Sequence, residues 1–380
     1  MSNGKHPPEW QPAALPKDAV FASSVMDGVA GGHDGLPGQQ SGAAATPVMR
    51  RRRLTTPEYV SGVRSGDRTI LARAITLIES NAPAHMAQAQ EVLQALLPFT
   101  GHALRVGITG VPGVGKSTFI EALGSMLCER GHRVAVLAVD PSSSVTRGSI
   151  LGDKTRMEAL ARHPNAYIRP SPTGGSLGGV TRKSRETMLI CEAAGFDVIL
   201  VETVGVGQSE TMVRGMVDFF LLLMLAGAGD ELQGIKKGIM ELADALVITK
   251  ADGENRLRAM TARADYARAL HYLTAATPGW QTPAMICSAL TGEGIAELWD
   301  DVERFHEVTS ASGVFAERRR QQTRDWLHAL IEDYLRSRFF NHPAVRAHLP
   351  AVEAAVVAGT LPVTAGAQAL AQAFEETANG

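Results

Sequence analysis

The chain predicts a doubly wound α/β fold built on a mostly parallel sheet, and three observations predict it. Seven short β-rich runs alternate with amphipathic helical segments. Directly after the first run comes a G-x-x-x-x-G-K-[ST] loop, in the strand-then-helix context that gives such a loop meaning. Beyond about residue 308 the strands stop and only helical spacing remains. Together these describe a phosphate-binding-loop NTPase core over 101–308, with a helical arm over 56–100 before it and a helical extension over 309–380 after it.

Residues 1–50 are rich in Gly, Pro, Ala and Ser and lack apolar periodicity, a composition that cannot offset its ordering entropy by burial. A disordered tail is expected there, with Met49 as an internal candidate start. The tail has neither an uninterrupted apolar stretch nor an arginine-rich amphipathic face, so secretory and organellar targeting are not expected. From 56 to 97 the pairs Ile70/Leu71, Ala74/Ile75, Leu77/Ile78 and Leu96/Leu97 fall at helical spacing. The strands are expected at 104–109, 133–139, 166–169, 197–202, 218–225, 245–250 and 284–287. A last long helix is expected to begin among residues 317–320, with Trp326, Leu327, Leu330, Ile331, Tyr334, Leu335 and Phe339 along one face. That stripe either packs on its own domain or pairs with a second subunit. Arg318, Arg319, Arg320 and Arg324 read as a solvated face of the same helix.

Composition narrows the function classes. With 45% hydrophobic and 20% charged residues the 380-residue chain is ordinary globular material. A formal net charge of −2, from 37 basic and 39 acidic residues, gives no bulk field for nucleic acid or an anionic membrane. Cys128, Cys191 and Cys287 are the three cysteines and form no C-x-x-C, so they read as reduced core residues of a cytoplasmic protein. The longest apolar run, 219–228, is too short to span a bilayer and reads as a buried central strand.

The loop itself is Gly110, Val111, Pro112, Gly113, Val114, Gly115, Lys116, Ser117 and Thr118. Its glycines let successive amides point inward and form an anion nest at a helix N-terminus. Lys116 is placed to reach the β- and γ-phosphates, and the Ser117 hydroxyl to meet Mg²⁺. Base reading is expected from the T-K-x-D segment, where Lys250 and Asp252 follow Thr249 at the end of a late strand. A carboxylate at Asp252 accepts both edge donors of guanine, a pair adenine lacks, so GTP and GDP are the expected nucleotides. Thr249 stands where Asn is commoner, and the missing amide predicts a weaker brace on the phosphate loop. Ser288, Ala289 and Leu290, after the last strand, suit a loop closing over the base, although that stretch alone also reads as a plain strand-to-helix turn. Asp140 and Glu202, at strand ends on the carboxyl edge, and Asp153 are candidate metal ligands, residue types that also serve as helix caps or surface acids. In Glu202-Thr-Val-Gly205-Val-Gly207-Gln208-Ser-Glu210, Gly205 is free to offer its N–H to the γ-phosphate. Val206 follows Gly205 and Gln208 comes later, so slow intrinsic hydrolysis is expected.

The runs V-D-P-S-S-S, G-S-I-L-G-D-K-T-R-M, V-E-T-V-G-V-G-Q-S-E and A-G-A-G-D-E-L-Q-G-I-K-K-G-I-M-E resemble the methylmalonyl-CoA mutase-associated GTPases, of MeaB/ArgK type. The resemblance covers residues 56–380. It implies a GTPase chaperone that gates cofactor loading of an adenosylcobalamin-dependent acyl-CoA mutase and protects it. It also implies a first switch over 140–155, a second over 202–210, and a further one over 227–241. In the last of these, Asp230, Glu231, Gln233, Lys236 and Lys237 would couple nucleotide state to the mutase. It implies a homodimer through the C-terminal helices, which shifts the reading of the stripe toward a second subunit. No D-x-H-x-x-G segment occurs, so this chain is not expected to hold cobalamin itself. Three other readings stand beside this one. A nickel-type metal-insertion GTPase would cluster His and Cys ligands, whereas His6, His33, His102, His132 and His163 are scattered. A transport-system kinase would transfer phosphoryl groups from ATP, and a scaffold would hold nucleotide without turnover.

Overall fold

The computed structural model describes residues 52–139, 157–170, 177–203, 209–227 and 238–378. Contacts gather the described residues from Leu54 onward into one compact unit. The tail expected over 1–50 lies outside the described residues, as do most of the three switch segments.

Seven strands form one sheet: β1 (Leu104–Gly110), β2 (Val134–Val139), β3 (Ala166–Arg169), β4 (Val198–Thr203), β5 (Phe219–Leu225), β6 (Ala245–Thr249) and β7 (Ala284–Ile286). Their order is β3-β2-β4-β1-β5-β6-β7, and every pairing is parallel. Each strand falls within two residues of its expected place. The reason is burial: β2 and β4 are buried at every position and β5 at all but the last, as strands covered by helices on both faces must be. β1 lies between β4 and β5, where the winding direction reverses, so the crevice at the carboxyl edge opens beside its end.

The helices on the N-terminal side are α1 (Thr56–Arg64), α2 (Arg68–Glu79), α3 (Pro83–Leu96) and α4 (Lys116–Glu129). Then come α5 (Glu158–Arg162), α6 (Leu177–Ala193), α7 (Ser209–Arg214), α8 (Arg256–His271), α9 (Ile295–Ala311), α10 (Val314–Phe340), α11 (Pro343–Val357) and α12 (Val363–Ala378). The arm α1–α3 packs on α6 and one sheet face, burying Leu71, Ile75, Ile78, Val92 and Leu96 against Ile190, Ile199 and Phe220. Asp67 starts α2 by accepting the amides of Thr69 and Ile70 at 2.8 and 3.1 Å, a cap of about 1 kcal/mol. The other face is covered by α4 and α9, which bring Phe119, Ile120, Trp299 and Phe305 onto Val106, Ile108 and Phe219. Phe305 meets the ring edges of Phe219 and Trp280 at 4.9 and 5.2 Å, each pair adding about 0.5–1.5 kcal/mol beyond its buried area.

The last long helix differs from expectation in two ways. It begins at Val314, because Gly313 takes φ 77° at its N-cap and turns the chain out of α9 at once. Nor is its arginine cluster a solvated face. Arg319 donates to both carboxylate oxygens of Asp218 at 2.7 and 2.6 Å and to the carbonyls of Gly101 and Ala103 at 2.7 and 2.6 Å. Arg318 donates to the Asp218 carbonyl and the Thr277 hydroxyl. Asp218 and Asp244 are fully buried at the amino edge of the sheet, and buried carboxylates demand cations, which Arg319 and Arg214 supply. Only Arg320 and Arg324 stay on the outer face, beside Glu317. Further along, Trp326, Leu330 and Phe339 are half-buried, while Leu327, Ile331, Tyr334 and Leu335 are exposed. The apolar stripe therefore stays open in a single copy of the chain.

Candidate nucleotide-binding site

The site assembles where β1 runs into α4. Gly110 approaches the neighbouring strand so closely that a Cβ there would lie 2.5 Å from the Leu223 carbonyl oxygen. Gly115, at φ 94°, forms the left-handed N-cap of α4 and directs the first helical amides back toward the loop. Those amides have no acceptor inside the helix, which together with the helix dipole makes the loop an anion seat. Lys116 is the first residue of α4, and its ammonium donates to the Gly110 carbonyl at 2.9 Å, so it spans the loop mouth. Burial pulls the Lys116 ammonium below the usual lysine range, while the carboxylates of Glu202 and Glu210 push it back up. The Ser117 hydroxyl donates to Glu202 Oε1 at 3.2 Å, across from the end of β4. Thr203, next to Glu202, donates its buried hydroxyl to that of Thr109, next to Gly110, at 2.9 Å. The end of β4 is thus fastened to the root of the phosphate loop.

The T-K-x-D segment is bonded to the same loop. The Thr249 hydroxyl, buried at the end of β6, donates to the Val114 carbonyl at 2.8 Å. That corrects the expectation drawn from the missing Asn amide: the threonine hydroxyl makes the brace itself. Lys250 is the one non-glycine residue with positive φ among the described residues, at 55°. Its ammonium donates to the Gly113 carbonyl at 2.9 Å, and Asn255 Nδ2 fixes its backbone by donating to the Lys250 carbonyl at 2.7 Å. Asp252 accepts the Ser288 hydroxyl at 2.5 Å, so the T-K-x-D segment and the turn after β7 meet directly. Ser288 is buried, its amide donating to the Glu293 carbonyl at 2.9 Å, whereas Leu290 is exposed at the tip of the turn. Arg256 and Glu293 pair at 2.5 Å across the same corner.

Of the residues named from the sequence, Gly110, Val111, Pro112, Gly113, Val114, Gly115, Lys116, Ser117, Thr118 and Glu202 converge at the loop. Lys250, Asp252, Ser288, Ala289 and Leu290 form the adjoining corner. Asp140, Asp153, Gly205 and Gln208 lie outside the described residues, as do Asp230, Glu231, Gln233, Lys236 and Lys237. Among the described residues no group of three or more His, Cys, Asp or Glu gathers as a metal site. Sequence reasoning missed the hydroxyl pair Thr109 and Thr203 and the carbonyl contact of Lys250. A threonine beside each motif was the only trace of the first, and nothing in the spacing announces the second.

Comparison with known proteins agrees with this geometry. The family described as "Methylmalonyl Co-A mutase-associated GTPase MeaB" matches residues 71–344. "Probable GTPase Rv1496" of Mycobacterium tuberculosis is 57% identical over 314 residues, covering 83% of this chain and 94% of that protein. The mouse protein "Methylmalonic aciduria type A homolog, mitochondrial" is 47% identical over 325 residues, covering 83% of this chain and 78% of its own length. A crystal structure named LAO/AO transport system kinase is 41% identical with a TM-score of 0.69, covering 84% of this chain and 97% of that one. A phosphate loop with a T-K-x-D segment bonded to it, and a family match over most of the chain, lead to one conclusion: this chain belongs to the methylmalonyl-CoA mutase-associated GTPase family MeaB and is a GTPase.

Proposed function

We propose that this GTPase is a chaperone of an adenosylcobalamin-dependent acyl-CoA mutase, gating cofactor loading and protecting the mutase through cycles of GTP binding and hydrolysis. The observation that carries the nucleotide part is the direct bonding of the T-K-x-D segment to the phosphate loop, Thr249 to Val114 and Lys250 to Gly113. The mutase part rests on the family to which the chain belongs.

Residue roles follow from position. The loop amides and Lys116 hold the β- and γ-phosphates, and the carboxylate of Asp252, already aligned by Ser288, accepts the guanine edge. Mg²⁺ is the expected ion, and the donor set fits it. The Ser117 hydroxyl and the Glu202 carboxylate, hard oxygen donors that meet at 3.2 Å beside the loop, would hold it. Asp140 and Asp153 complete the proposed set, and the ion when bound neutralises charge on the triphosphate. Gly205 is assigned to the γ-phosphate and Gln208 to the neighbourhood of the attacking water. The open stripe on α10 is assigned to a homodimer, since contiguous exposed apolar surface marks an association site. No helix among the described residues is long and apolar enough to cross a membrane, in keeping with a cytoplasmic place of work.

A transport kinase would require transfer of a phosphoryl group from ATP, and the guanine reader argues against it. The test is GTP turnover with and without purified cobalamin-dependent acyl-CoA mutases. Stimulation by about tenfold or more by one of them supports the assignment. Equal turnover with methylmalonyl-, ethylmalonyl- and isobutyryl-type mutases would remove the chaperone reading and leave a GTPase with another client.

A further inference from the structure

The short helix α7 connects two ends of the molecule. Its first turn carries Glu210, which is buried and acts electrostatically on Lys116 at the phosphate loop. Its six residues span about 9 Å and end in carbonyls with no partner inside the helix. Side chains from two other helices bond the carbonyl of its last residue, Arg214, and carbonyls in the turn just after it, at Gly215 and Val217. Gln322 of α10 donates its amide to the carbonyls of Val217 and Arg214 at 2.8 and 3.4 Å. Arg185 of α6 donates to the Gly215 carbonyl at 2.5 Å and to the Gln322 backbone carbonyl at 3.2 Å.

Arg185 is an unusual arginine. Among the described residues it has no carboxylate within ion-pair distance and its Nε is buried without a partner, and its guanidinium stands 5.5 Å over the Trp326 ring. Burial, with the like charge of Arg105, lowers it to about 10, while Asp325 acts the other way. An arginine desolvated in this way is costly unless its donors are used, and the donors in use all face backbone carbonyls at the junction of α7 and α10. Trp326 and Gln322 lie on the same helix as the open stripe at Leu327, Ile331, Tyr334 and Leu335. α7 therefore cannot shift when the phosphates change unless this junction breaks or α10 moves with it.

We propose that Arg185 is a positioning residue for GTP hydrolysis, clamping the exit of α7 to α10 so that nucleotide state and the placement of the apolar stripe are set together. The proposal rests on the reading of 202–210 as the phosphate-sensing switch. A side chain that acts this way changes the chemical step more than ground-state binding, since misplacement of a reacting geometry by about 1 Å can cost up to about a hundredfold.

The experiment compares the full-length wild-type chain with Arg185→Met and Gln322→Ala. It reads steady-state GTP turnover, GDP affinity, and hydrogen exchange over 314–340 with GDP and with a non-hydrolysable GTP analogue. The wild type is expected to show exchange in α10 that differs between the two nucleotides. Arg185→Met is expected to abolish that difference and to lower kcat about tenfold, with KM and GDP affinity within about twofold. If Met at 185 prevents folding, Gln322→Ala, which cuts only the second arm of the clamp, is expected to show the same pattern at smaller size. Unchanged kcat and an undiminished exchange difference in a folded variant would overturn the clamp. So would identical α10 exchange in both nucleotide states of the wild type. Absence of nucleotide binding by the wild type would instead overturn the switch reading beneath it.

Discussion

Thr249 donates its hydroxyl to the carbonyl of Val114 at 2.8 Å, joining the end of β6 to the loop between β1 and α4. Thr249 is buried and Val114 fully so. On the proposed roles, the two halves of nucleotide recognition are therefore mechanically one unit, and a defect in either is felt by the other.

Replacing Thr249 with Val keeps the shape and deletes the donor, leaving the Val114 carbonyl short of its partner. A lost buried hydrogen bond is worth about 1–3 kcal/mol, so GTP and GDP affinity are expected to fall by about fivefold to a hundredfold. Thr249→Ser should keep most of the affinity. Fluorescent-nucleotide titration of the three proteins checks this, and full affinity in the valine variant would refute the brace.

Lys116 gives the loop its one ammonium, held across the mouth by the Gly110 carbonyl. Lys116→Ala removes the charge that meets the β- and γ-phosphates, so GTP hydrolysis should fall at least about a hundredfold. Turnover measured by phosphate release is the readout, and an undiminished rate would take the loop out of the mechanism.

Asp252 is aligned by the Ser288 hydroxyl at 2.5 Å. Asp252→Asn exchanges one acceptor for a donor, and xanthine presents an acceptor where guanine presents a donor. The variant should therefore prefer xanthosine triphosphate over GTP by about tenfold or more. Competition binding decides the matter, and a variant that still prefers guanine would refute the assignment.

Arg319 neutralises a fully buried acid: both oxygens of Asp218 accept from it. Arg319→Ala leaves that carboxylate uncompensated and should destabilise the fold by about 3–5 kcal/mol. Denaturant unfolding measures this, and a change below about 1 kcal/mol would show the pair to be ornamental.

The strands were legible because β2, β4 and β5 are continuous apolar runs, a pattern imposed by helices on both faces. That Gly110, Lys116 and Ser117 gather at one loop, and Asp252 and Ser288 at the adjoining corner, was legible because their spacing reflects local backbone geometry. What was not legible depended on distant carbonyls and carboxylates. Arg319 reads as a surface residue until its partner, 101 positions earlier, is known to be buried. Thr249 reads as a weakened Asn until the Val114 carbonyl, 135 positions earlier, comes within reach. Arg185 gave no signal, because backbone carbonyls leave no mark in a sequence.

Calorimetric titration of the purified, folded chain with GTP, GDP and ATP in the presence of Mg²⁺ tests the central claim most directly. One site per chain for GTP and GDP, with ATP weaker by about a hundredfold or more, is the predicted result. Equal affinity for ATP and GTP, or no heat with either guanine nucleotide, would contradict it.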